Sequence, residues 1–276
     1  MNTSVHDQVQ SSHLRKPYVL QNQKDCIQLC ASSLMVSSLA RLHSSTPEIH
    51  TMGSPASSDD LFHPLIEHAI ELSSQWHDGT YRKSVWRDPA FEVPTDEEIQ
   101  VPVMSHLAAV ASIVHRAGWA PEVIAAAYLH DTIEDMNAHG QRLRRKQLRE
   151  AVGPVVAQLV AQVSEQKESP DGTLRPWRDR KEDYLANLRS GSAEAVAISL
   201  ADKIHNLWSM NQNLSNDEDI FAVLSAGPEA QHWYYTAVLE ASHAHNDPRL
   251  EPMRARLRQE LDRFETYVAR YTETGP

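Results

Sequence analysis

Residues 121–135 end in the run Ala125-Ala126-Ala127-Tyr128-Leu129-His130-Asp131-Thr132-Ile133-Glu134-Asp135. Val123, Ile124, Ala127 and Tyr128 recur at helical spacing, and Pro121 suits a first helical position. The spacing therefore predicts a helix over 121–135. Four ionisable groups follow its apolar stretch within six residues, and such groups are costly to bury without a cation. On a continuing helix Glu134 lies one turn after His130 and Asp135 one turn after Asp131, so both acids return to the face of that pair. A lone His or Asp at a helix end is ordinarily a cap or a solvated group. Four ionisable groups closing one apolar helix point to a site.

Outward from this run the pattern stays helical. Asp59 or Asp60 can cap a helix carrying Phe62, Leu65, Ile66, Ala69 and Ile70 on one face, ending before Gly79. Residues 103–117 are apolar and closed by Gly118. Gly153 and Pro154 punctuate two helical stretches, 143–152 and 155–166. Residues 176–189 form an amphipathic helix, and Ser192 caps a buried one over 193–210. Three more fall at 218–225, 229–243 and 248–271. Residues 80–100 are polar, contain Pro89 and Pro94, and read as a long loop. No segment alternates with period two and no repeat recurs, so an all-α fold is expected.

The 276 residues carry 26 Lys+Arg against 37 Asp+Glu, a net charge of −11. That balance argues against a protein that coats DNA or RNA. It remains compatible with an anionic small molecule where a metal is bound. There is no G-x-G-x-x-G and no Walker loop, and Gly occurs only 9 times. Mean hydropathy is −0.49, with no apolar run of membrane-spanning length. Two Cys exclude a disulfide scaffold and suggest a reducing compartment, the cytoplasm. Residues 1–58 hold twelve Ser and no Trp, and read as a disordered leader ahead of a domain over 59–271. Within the leader, Cys26 opens a moderately apolar stretch, and Cys26 and Cys30 lack further Cys to complete a metal site.

Two further segments carry chemistry. Asp202 sits in an apolar helix among Val196, Ile198, Leu200, Ala201, Ile204 and Leu207, with Asn206 one turn later. It either pairs with a neighbouring Lys or Arg or points into a metal site. His106 lies on the apolar 103–117 stretch, where a satisfied core histidine is the ordinary reading. Together His106, His130, Asp131 and Asp202 form an H…HD…D series. Two imidazoles and two carboxylates suit a first-row transition metal or Mg²⁺, provided a helical bundle brings them together.

That series resembles the HD-domain metal-dependent phosphohydrolases. Leu129–Asp135 resembles the LLHDxxED, and Leu200–Leu207 the LADRLHNM, of the hydrolase domain of RelA/SpoT-type proteins. Arg82-Lys83 matches the RK that opens that domain. Residues 176–185 and 226–235 resemble its small stand-alone alarmone-hydrolase relatives. The connection from Arg82 to His106 is longer than theirs. The resemblance implies one HD-domain helical bundle removing the 3′-diphosphate from (p)ppGpp, with Mn²⁺ held by His106, His130, Asp131 and Asp202. Glu134 and Asp135 would orient or deprotonate the attacking water, their mutual repulsion raising one pKa. Asn206 would hold substrate near the metal, Arg82 stack on base or ribose, and Lys83, Arg180 and Lys181 meet phosphate. Tyr234 would contact the nucleotide or belong to the core. Other phosphorylated nucleotides, NADPH among them, and a non-catalytic nucleotide-sensing module are the alternatives.

Overall fold

The structure is a computed structural model and describes residues 61–85, 100–216 and 219–274. The Ser-rich leader with its two Cys, Asp59 and Asp60, and most of the 80–100 loop lie outside these residues. Eight helices carry the described chain: α1 (Pro64–Trp76), α2 (Val103–Arg116), α3 (Pro121–Leu129), α4 (Arg145–Val163), α5 (Trp177–Ser190), α6 (Ala193–Ser215), α7 (Pro228–Ser242) and α8 (Glu251–Thr274). All-α is the fold observed.

Helix α6 is the axis. Residues 195–201 are apolar on every face except for Ser199, so this part of the helix must be enclosed on all sides. Val196, Ile198, Leu200 and Leu207 are fully buried, each contributing about 1.5–3 kcal/mol. Helices α2, α3, α4, α7 and α8 pack around it. The Ser192 hydroxyl accepts from the Ala195 N–H as its N-cap. Asp202 is thereby carried into the interior on a helix that cannot turn it outward.

Three local outcomes differ from the sequence expectations. Helix α1 begins at Pro64, with His63 Nδ1 accepting from the Leu65 N–H, and Phe62 is exposed rather than on its apolar face. Helix α3 stops at Leu129, because Thr132 turns back on it: its N–H and its hydroxyl both donate to the Leu129 carbonyl. The third is a short antiparallel ladder, β1 (Tyr81–Val85) with β2 (Gln100–Pro102), where a loop was expected. Pro102, which has no N–H to offer, ends the ladder and leads directly into α2.

The break expected in α4 is present, although the helix spans Arg145–Val163 and is shorter at both ends than the 143–152 and 155–166 stretches read from the sequence. Gly153, at φ 82° and ψ 171°, joins two helical stretches in a conformation that essentially only Gly adopts. The 218–225 stretch forms only a 3-10 turn at Ile220–Val223.

Candidate metal centre

His106 comes from the first turn of α2, His130 from the end of α3, and Asp202 from the middle of α6. All three are buried, and one ligating atom from each lies within 4.8 Å of the others. His106 Nε2 is 3.1 Å from Asp202 Oδ1, and His130 Nε2 is 3.8 Å from the same oxygen. Asp131 borders this group, with Oδ1 3.2 Å from His130 Nε2 and Oδ2 3.9 Å from His106 Nε2. The four residues read from the sequence as a series therefore meet.

The electrostatics suit a cation. Burial opposes charge on His130, yet the Asp131 and Asp202 carboxylates outweigh it and raise its pKa to about 9. A fully enclosed imidazole that keeps its proton marks a strongly negative potential. Burial holds His106 well below its ordinary range, so that imidazole stays neutral. Burial would raise the Asp202 pKa, but Lys203, His106 and His130 bring it well below the carboxylate range. The His130 Nε2 atom is buried and makes no hydrogen bond, its 3.2 Å approach to Asp131 lacking the required geometry. An orphaned Nε2 facing two carboxylates and a second imidazole fits a divalent cation of the nitrogen- and oxygen-loving kind.

The surrounding cavity, about 400 Å³, is lined by His106, Asp131, Asp135, Asn206 and a cationic set of Arg82, Lys83, Lys181 and Lys203. Arg82 Nη2 donates to Asn206 Oδ1 at 2.8 Å, and the Asn206 amide donates in turn to Asp202 Oδ1. Asn206 thus links Arg82 to the carboxylate. Lys83 Nζ donates to the Val223 carbonyl at 2.8 Å, which ties β1 to the Ile220–Val223 turn. Tyr234 belongs to the core, 3% exposed among Trp177, Tyr184 and Tyr235, and it also lines the cavity.

The acidic pair is split. Asp135 lines the cavity, and its Oδ1 accepts from Lys167 Nζ at 2.7 Å. Glu134 turns to the α4–α5 connection, where Oε1 accepts from the Glu165 N–H at 2.6 Å. Its pKa rises to about 7, through burial first and Asp131 second; repulsion from Asp135 contributes less. Mutual repulsion within the pair is therefore not the main cause.

Arg180 and Lys181 both donate to the carboxylate of Glu165, which is 6% exposed. Lys181 still borders the cavity with Nζ 4.7 Å from the Tyr234 ring centre, whereas Arg180 is not part of the lining. The neighbouring Lys that the sequence allowed as a partner of Asp202 is Lys203, whose Nζ donates to Asp202 Oδ2, while sequence reasoning missed Lys167, which faces both acids. A Lys inside the apolar run Leu200–Leu207 was a signal for the first; the second has no local signal.

A buried His/Asp group held by the helices of an all-α domain defines a class, and sequence comparison agrees. The family model described as an HD domain matches residues 86–228, just over half of the chain, and the chain belongs to that family. Among curated proteins, the chain is 28% identical over 145 residues to a GTP pyrophosphokinase of Streptomyces coelicolor, covering 52% of this chain and 14% of that one. It is 31% identical over 113 residues to the guanosine-3′,5′-bis(diphosphate) 3′-pyrophosphohydrolase MESH1 of Danio rerio, covering 40% of this chain and 57% of that one. Among solved structures, lmo0812 from Listeria monocytogenes EGD-e superposes with a TM-score of 0.50 at 28% identity, over 59% of this chain and 97% of that one.

Proposed function

We propose that the protein is a metal-dependent phosphohydrolase that removes the 3′-diphosphate of guanosine 3′,5′-bis(diphosphate) or its pentaphosphate, leaving GDP or GTP and pyrophosphate. The observation that carries this reading is the convergence of His106, His130 and Asp202, with Asp131 beside them, where His106 and Asp131 line a cavity with four cationic side chains. The name of the Danio rerio relative supports the substrate class. The cavity volume suits a nucleotide-sized ligand.

His106, His130, Asp131 and Asp202 would hold the metal, Mn²⁺ by family resemblance. When bound, it supplies Lewis-acid polarisation of the scissile phosphoryl group and a water acidified for attack. Asp135, which lines the cavity, would take the proton of the attacking water, with Glu134, of pKa near 7, behind it against the Glu165 N–H. Lys167 holds both acids in place. Arg82, Lys83, Lys181 and Lys203 offset the charge of the phosphates, and Asn206 fixes Asp202 and Arg82 relative to each other. Arg180 serves the frame through Glu165.

The test is release of phosphate or pyrophosphate from a nucleotide panel that includes NADPH, with Mn²⁺ added and Asp131→Ala as control. Pyrophosphate from the bis(diphosphate), abolished in Asp131→Ala, is expected. No turnover on the panel, or equal turnover by Asp131→Ala, refutes the reading.

A further inference from the structure

His106 and His205 approach each other through the same ring nitrogen, Nδ1 to Nδ1 at 2.8 Å, with ring centres 4.9 Å apart. Two imidazole nitrogens at that distance share one proton: one donates and the other accepts. His106 presents its other nitrogen, Nε2, to Asp202 and Asp131. If Nε2 ligates a metal it carries no proton, so the proton of the neutral ring stands on Nδ1 and the donor is His106. We infer that His205 is a positioning residue for His106, accepting its Nδ1 proton so that the Nε2 lone pair faces the metal.

This rests on the proposed role of His106 as a metal ligand and extends it. The other imidazole shows the same device made from backbone, since His130 Nδ1 lies 2.8 Å from the Ala127 carbonyl. Helix α2 supplies no such carbonyl to His106; among the described hydrogen bonds its Nδ1 has His205. His205 stands three residues after Asp202, so one helix supplies both the carboxylate and the group that orients the opposite imidazole. It does not line the cavity around Asp131 and Arg82. It borders a separate groove with Ile113, Ile204, Trp208 and Met253, its ring centre 5.6 Å from that of Trp208. It therefore acts through His106 and not on a substrate in that cavity. Fixing the ring and its tautomer from behind raises the affinity of an imidazole for its metal.

The experiment titrates Mn²⁺ into the full metal-free chain by calorimetry, for wild type, His205→Leu and His205→Asn. Leu removes the acceptor, while Asn places an amide oxygen near the position of Nδ1. His205→Leu is expected to weaken Mn²⁺ about 10–100-fold, and His205→Asn to stay within about threefold of wild type. With Zn²⁺ bound, long-range ¹H–¹⁵N correlations are expected to show His106 protonated at Nδ1 and His205 at Nε2. The inference is overturned if His205→Leu binds Mn²⁺ as wild type does, or if a His205→Asn protein with wild-type melting binds as weakly as the Leu variant. Protonation of His205 at Nδ1 in the loaded protein overturns it as well. A wild type that binds no metal overturns the ligand role of His106 itself, a distinct outcome.

Discussion

Replacing Glu165 by Gln tests whether Arg180 and Lys181 are built into the frame. Their side chains are 16% exposed and both donate to a carboxylate that is 6% exposed. Gln leaves two largely enclosed cations facing a neutral amide. Breaking a buried pair costs about 3–5 kcal/mol, and the residual exposure of the cations reduces that to about 2–4 kcal/mol. For a domain of this size the melting temperature falls by about 4–16 °C. The pH dependence is also fixed. Burial would raise the Glu165 pKa, but Lys181 and Arg180 outweigh it and hold it below the ordinary 4.5. The stabilisation is present above the unfolded value and is lost as pH falls through the lower folded value. Thermal denaturation of both proteins across pH should show a constant gap between about pH 6 and 8 that narrows in acid. An unchanged melting temperature at neutral pH, or a gap that widens in acid, refutes the reasoning.

Two further predictions concern separate elements. Gly153→Ala meets no atom within 4 Å of its new Cβ, so its cost is purely conformational; it should lower stability by about 1–3 kcal/mol in chemical denaturation, and no loss would contradict the assigned φ and ψ. In chelator-treated protein the Glu134 pKa, about 7 when folded against 4.5 otherwise, makes the native state bind more protons between those values. Melting temperature should then decline over that window as pH rises and level above it, and Glu134→Gln should remove that part of the decline; an identical slope in the variant would refute the assignment.

Much of the site was legible because its chemistry sits on strongly apolar helices. Ser192, Gly153 and the apolar 193–210 run located their elements through local rules of capping, backbone freedom and periodicity. The H…HD…D residues stood out because ionisable groups are rare among such neighbours. Local rules failed where distant residues decide. The α3 helix ends early because the Thr132 hydroxyl captures the Leu129 carbonyl, and Glu134 consequently faces Glu165 rather than His130. Arg180 looked like a charge on an amphipathic face, but Glu165, fifteen residues earlier, claims it. The β1–β2 ladder joins strands too short to show alternation. His205 carries no local signal, because only the packing of α2 on α6 brings its Nδ1 to His106.

Product analysis of guanosine 3′,5′-bis(diphosphate) incubated with the purified chain and Mn²⁺ tests the central claim most directly, with Asp202→Ala alongside. Wild type is predicted to yield GDP and pyrophosphate in equal amounts and to stop when a chelator is added. Asp202→Ala should be slower by about a hundredfold or more, at least the loss that follows removal of an outer-shell partner alone. Equal rates in the two proteins, release that persists undiminished in chelator, or no release by wild type would contradict it.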